Sequence, residues 1–244
     1  MKRLSHHSQY FLRNPGLVKE LVQRSALRPR DTVIDIGAGS GVISSVLSRV
    51  VKKVIAVEFE GRAAEKLREN MYLYPNVEVV HGDFLEMPLP TSQYAIFANI
   101  PFHLSSPIIQ RLIDTPTPPR LAYFIVQKQF GKKLTSYEAT HFTSQLGMLA
   151  GIRYNIRILR SLQKTDFWPH PNVDTVFLEM KRREEPLIPE KRMKAYTTFT
   201  IECFSSPKHY LKLPLETVGI SRETSPSRLT LEKWVALFNA QKQY

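Results

Sequence analysis

The chain has 244 residues, 43% of them apolar, enough to bury the core of one large domain or of a large domain with a small companion. Its 34 lysines and arginines against 22 acids leave a formal net charge of +12, which favours a polyanionic partner, nucleic acid above all. A lone cysteine, Cys203, excludes an intramolecular disulfide and fits a reducing compartment, and no apolar run, LAYFIV included, is long enough to span a bilayer. The opening MKRLSHHSQYFLRNPG is basic without a continuous apolar stretch, so no signal peptide is expected and the chain reads as cytoplasmic.

In chain order, PGLVKELVQRSAL has the spacing of an amphipathic helix. From Asp31 to about Ile125 short apolar runs alternate with helical patterns. TVIDIG, KVIAVEF, VEVVHGD, YAIFAN and RLAYFIVQ read as strands, and SGVISSVLSRV, GRAAEKLREN and SPIIQRLID as helices. That alternation predicts βαβ units, hence an α/β fold with a Rossmann-like parallel sheet and right-handed crossovers. FWPHPNVDTVFLEMKR reads as a proline-bounded strand that closes the sheet antiparallel, and KRREEPLIPEKR as a solvated linker. From Met193 the pattern turns helical and ends in TLEKWVALFNA, with Leu231, Trp234, Val235 and Phe238 on one face. Residues 1–180 are therefore expected to form the catalytic α/β domain and 187–244 a small helical domain.

VIDIGAGSGVIS is a strand, a glycine turn and a helix. Gly37, Gly39 and Gly41 permit a tight turn and close approach of a ligand to the backbone. The dinucleotide fingerprint needs a glycine where Val42 stands, which argues against NAD. Glu58 ends the next strand, where an acid accepts both hydroxyls of a ribose, and Asp83 ends the third, where it can accept from an adenine amine. In FANIPFHLSS an apolar strand leaves through Asn99, Ile100, Pro101 and Phe102 into a loop beyond the carboxyl edge of the sheet, the place where open α/β sheets hold ligands. Ser106 is expected to cap the following helix, with Pro107 at its first position.

The motifs SQYFL, DIGAGSG, AVEF, GDF, NIPF and FWPHPNVDTV stand in the order found in the rRNA adenine N6-methyltransferases, and this resemblance covers nearly the whole chain, including the terminal SRLTLEKWVALF. It is more similar to the Erm-type enzymes of large-subunit (23S) rRNA than to the small-subunit (16S) dimethyltransferases, which usually carry Leu where Ile100 stands and a longer C-terminal part. The resemblance implies a class I methyltransferase sheet and S-adenosylmethionine as cofactor. Gly37 would lie against its methionine and ribose portion, Glu58 on the ribose hydroxyls and Asp83 on the adenine, with Asn99 also at the cofactor. Gln9, Tyr10 and Leu12 match the family's N-terminal cofactor contacts. Family members usually carry Asn where Tyr10 stands, which leaves a main-chain contact at that position.

The resemblance also gives NIPF a task. The adenine N6 lone pair is delocalised into the ring, and no strong base is needed to free it. Two neutral acceptors, the Asn99 side-chain oxygen and the carbonyl of Ile100 or Pro101, can hold both N–H bonds and favour a pyramidal nitrogen. Pro101 fixes the turn and Phe102 stacks on the extruded base. Lys128 to Lys133, the KRLSHH segment and Arg13 are candidates for RNA phosphates, and Phe167, Trp168 and Pro171 for either the base pocket or the core. His6, His7, His103, His141, His170 and His209 lack metal-ligand spacing, so no metal is expected. The expected protein is a monomeric rRNA-modifying enzyme whose action on 23S rRNA would confer resistance to macrolide, lincosamide and streptogramin B drugs. The alternatives are a 16S rRNA dimethyltransferase and a non-catalytic nucleic-acid-binding relative.

Overall fold

The computed structural model describes residues 11–12, 14–135 and 143–241. By internal contacts they form two compact units: residues up to 128 with 158–181, and 129–157 with the residues from 182 onward.

In the first unit, Phe11–Leu12 (β1) pairs antiparallel with Phe167–Trp168 (β8). The main sheet contains Thr32–Ile36 (β2), Lys53–Glu58 (β3), Val77–His81 (β4), Ala95–Asn99 (β5), Leu121–Gln127 (β6), Tyr154–Leu162 (β7) and Thr175–Arg182 (β9). Their order is β4-β3-β2-β5-β6-β9-β7. β2 pairs in parallel with both β3 and β5, β4 and β6 extend the parallel set, and β9 runs antiparallel to β6, as the sequence predicts. The order reverses between β2 and β5, and that switch point opens a crevice at the carboxyl ends of the strands. β5 and β6 are buried along nearly their whole length because both faces of a parallel sheet are covered. On one face Phe97, Tyr123 and Phe177, from three neighbouring strands, pack with ring centroids 5.4–5.9 Å apart.

The helices of this unit are Pro15–Gln23 (α1), Val42–Leu47 (α2), Gly61–Met71 (α3) and Ser105–Asp114 (α4). Asn14 caps α1 by accepting from the amides of Gly16 at 2.9 Å and Leu17 at 3.4 Å. α4 starts earlier than the sequence signals suggest. A 3-10 turn, Phe102–Leu104, runs directly into it, so no side chain caps it. Ser105, Ser106 and Pro107 open the helix, within the first turn, where a missing proline N–H costs nothing.

Asp35 on β2 is fully buried and accepts from the Ser44 hydroxyl of α2 at 2.6 Å. Burial pushes its carboxyl from 3.8 up to about 7, with the Ser44 hydrogen bond opposing the shift and the Glu58 carboxylate adding to it.

The remaining helices are Lys128–Leu134 (α5), which opens at the end of the first unit, and Gln145–Arg153 (α6), Met193–Ser205 (α7), Pro207–Leu211 (α8) and Leu231–Ala240 (α9). In the second unit Tyr196, Phe199, Trp234 and Phe238 form an aromatic core, and Phe204 stacks on Trp234 at 5.1 Å. Leu237 takes the buried place on α9 expected of Val235, which is only half-buried. Residues 129–157, which the sequence reading leaves in the α/β domain, group with this unit. Gly151 of α6 lies so close to Leu231 that an added Cβ would stand 2.8 Å from Leu231 Cδ2, and the Gly151 carbonyl accepts from Arg183 Nε at 3.0 Å.

Two outcomes follow from these contacts. A Cβ on Gly147 of α6 would meet the Lys133 carbonyl oxygen at 2.4 Å. Gly147→Ala should therefore lose about 1–3 kcal/mol in urea unfolding, and an unchanged midpoint would contradict that close approach. The folded state holds the Asp35 proton more tightly than the unfolded chain. Its contribution is therefore full below about pH 4 and lost as pH rises through about 7. Asp35→Asn removes the titration while keeping an acceptor for Ser44. Melting curves should show the wild type falling relative to the variant across that range, whereas parallel pH profiles would contradict the shift.

Candidate active site

The turn after β2 is held by β3. The amides of Gly37 and Ala38 donate to the Val57 carbonyl at 2.9 and 3.0 Å. Gly39 N–H donates to Glu58 Oε2 at 2.8 Å, and Glu60 N–H donates to Oε1 at 2.9 Å. Gly37, Gly39 and Gly41 all have positive φ, at 69°, 56° and 90°, which is why side chains other than hydrogen are disfavoured there. Glu58 is only 5% exposed. Each carboxylate oxygen has a second lone pair beyond the one its amide uses, so two hydroxyl donors can still be accepted.

The end of β4 is tied to the same place, because Gly82 N–H donates to the Glu58 carbonyl at 2.9 Å. Asp83 then folds a tight turn on itself. Its Oδ1 accepts from Leu85 N–H at 2.8 Å, and its carbonyl accepts from the amides of Glu86 and Met87 at 3.1 and 3.0 Å.

β5 ends at half-buried Asn99, in register with Ile125 of β6. Ile100 is buried, and Pro101 turns the chain into the 3-10 turn, its carbonyl accepting from Leu104 N–H at 2.9 Å. A Cβ on Gly37 would lie 3.6 Å from Pro101 Cδ, so the glycine keeps the wall between these loops thin.

A cavity of about 270 Å³ opens between them, lined by Gly37, Glu58, Asp83 and Pro101 among others. Four of the residues read from sequence thus meet in one place. Asn99, two residues before Pro101, and Phe102, directly after it, are not among the residues lining this cavity. Leu12 lies buried on β1, and Gln9 and Tyr10 fall outside the described residues, as do Arg13 and the KRLSHH segment. The cavity walls also include Phe59, which is 73% exposed, buried Phe84, and His103, Leu104 and Ile108. None of these was read as a site residue. For Phe59 the signal was its place directly after Glu58, and for the others it is visible only once the strand order is known.

Phe167 and Pro171 are buried, while Trp168 is 51% exposed with its ring edge-on to His170. Lys128 forms an ion pair with Asp174 at 3.6 Å, so that charge is partly compensated. Among the described residues no group of three or more His, Cys, Asp or Glu could hold a metal, and no helix is long and apolar enough to cross a membrane.

The pattern described as ribosomal RNA adenine dimethylase matches residues 2–236. The rRNA adenine N-6-methyltransferase of Bacillus licheniformis is 26% identical, the match spanning 97% of this chain and 86% of that one. The ribosomal RNA small subunit methyltransferase A of Thermotoga neapolitana is 30% identical over 96% of this chain and 90% of its own. Among solved structures, the 23S rRNA methyltransferase ErmE superposes with a TM-score of 0.84 at 26% identity, over 96% of this chain and all of that one. With a match over nearly its full length, the chain belongs to the ribosomal RNA adenine dimethylase family, whose members here are rRNA adenine methyltransferases on a Rossmann-like α/β fold.

Proposed function

We propose that this protein transfers a methyl group from S-adenosylmethionine to N6 of an adenosine in 23S rRNA. The observation that carries the reading is the convergence of Gly37, Glu58, Asp83 and Pro101 on one cavity at the switch point, with Asn99 two residues before Pro101 in the chain. The residues fit the cofactor. Glu58 keeps two acceptor positions for the ribose hydroxyls, Asp83 keeps carboxylate capacity for the adenine amine, and Gly37 leaves the wall open for the methionine and ribose portion. Gln9, Tyr10 and Leu12 match the family's N-terminal cofactor contacts, and of these Leu12 lies buried on β1. When bound, the cofactor supplies an electrophilic methyl on a sulfonium, so the protein has only to bind, orient and exclude water.

The target amine is oriented by Asn99 and a backbone carbonyl. The second acceptor beside the Asn99 amide oxygen is the carbonyl of Ile100 or of Pro101, whose oxygen also accepts from Leu104. Two neutral acceptors hold both N–H bonds while the nitrogen lone pair turns towards the methyl, and the N6 proton released after transfer passes to solvent. Phe102 stacks on the extruded base. The first unit carries this chemistry, and rRNA is the polyanion that a net charge of +12 favours.

Asn99→Ala should lower methyl transfer to rRNA by about 100-fold at saturating cofactor, the scale on which a preorganised polar group acts. Its thermal unfolding midpoint should stay nearly unchanged, and full activity in the variant would reduce NIPF to a turn.

The large-subunit assignment is supported by Ile100 and by the likeness to ErmE. The 30% identity to a small-subunit methyltransferase favours 16S rRNA as the second reading. Expression in a drug-sensitive bacterial host separates the two. Resistance to macrolide, lincosamide and streptogramin B drugs is the expected outcome. Rescue of a strain lacking the small-subunit enzyme, without resistance, would replace the first reading by the second.

A further inference from the structure

One side chain of α4 grips the turn after β4 from outside. Arg111 Nη2 donates to the Met87 carbonyl, and the guanidinium lies over the Phe84 ring, 5.2 Å from its centroid. Phe84 follows Asp83 directly, and Met87 closes the turn through its amide on the Asp83 carbonyl. Arg111 therefore touches the turn at both ends.

Its surroundings are unusual for an arginine. It forms no carboxylate ion pair at salt-bridge distance among the described residues, and its Nη1 is buried with no hydrogen-bond partner among them. Half-burying a guanidinium on those terms costs stability and does not add to it. What it gains is the fixed geometry of the turn. The Asp83 carboxylate lies close enough to be attracted to it, and the cation rests on the buried Phe84 ring.

We infer that Arg111 is a positioning residue for adenine recognition: through Phe84 and the Met87 carbonyl it holds the Asp83 carboxylate at the edge of the cavity. This rests on the cofactor reading above, in which Asp83 accepts from the exocyclic amine of the adenine. The effect is specific to one end of the cofactor. Glu58 and the glycine turn are held by β3 backbone and do not depend on Arg111.

The test uses S-adenosylhomocysteine and its inosine counterpart, S-inosylhomocysteine, which carries a carbonyl oxygen in place of the purine amine. Calorimetry on the full chain should show the wild type binding the adenosyl ligand at least about 10-fold tighter, the order expected for one buried hydrogen bond lost. Arg111→Met preserves length and apolar contact. It should bring that ratio close to one, with the dissociation constant of the inosyl ligand changed less than about twofold and the unfolding midpoint held. Arg111→Lys keeps the charge without the planar fork and should fall between the two, and it decides the matter if the Met variant does not fold. A ratio kept at the wild-type value in both variants would overturn the inference. Equal weakening of both ligands would also overturn it, because a purely structural role predicts that result. Failure of the wild type to bind the adenosyl ligand would instead overturn the cofactor reading and the inference with it.

Discussion

The buried carboxylate of Glu58 is the constraint around which the rest of the site is arranged. At the end of β3 it takes the Gly39 amide on one oxygen and the Glu60 amide on the other, while its backbone carbonyl takes Gly82. Three strand ends are thus referred to one residue. A carboxylate only 5% exposed would be costly without such partners. Here both oxygens are engaged by amides and both keep capacity for a ligand. The glycine turn has to pass close beside it, and that approach requires the left-handed backbone of Gly37, Gly39 and Gly41.

The switch point converts this anchoring into a cleft. β2 crosses to β3 on one side and lies beside β5 on the other, so the loops after them diverge and leave a space bounded by Glu58, Asp83 and Pro101. In the proposed function, the loop that faces the target adenine is built differently from the cofactor side. It uses a neutral amide, a backbone carbonyl and a proline turn in place of acids. That division suits a reaction in which the donor arrives activated and the acceptor nitrogen needs orientation more than deprotonation.

Much of this was legible in the sequence, for physical reasons. Strands covered on both faces show as continuous apolar runs, so β2, β3, β5 and β6 could be read, and proline-bounded β9 could be given its antiparallel direction. Strand ends fix the chain just beyond them, so Gly37, Glu58, Asp83 and Pro101 could be expected to lie along one edge of the sheet. α6 was missed because Gly147 to Ile152 are all buried and leave no amphipathic stripe to detect. β7 begins with alternating buried and exposed residues from Tyr154 to Arg157, a period-two signal that was present and not used. The grouping of 129–157 with the helical unit goes with long-range contacts such as that of Gly151 with Leu231, which no local pattern encodes. The same holds for Phe84, His103 and Ile108 in the cavity wall, and for the reach of Arg111 from α4 to Met87.

The central claim is that this cleft serves methyl transfer to an adenine N6 of large-subunit rRNA. The most direct measurement incubates the purified chain with isotopically labelled S-adenosylmethionine and intact rRNA of both subunits, then digests each RNA to nucleosides and locates the label by mass spectrometry and primer extension. The account predicts label as N6-methylated adenosine at one position of 23S rRNA. Label confined to 16S rRNA, or carried on any atom other than adenine N6, would contradict it.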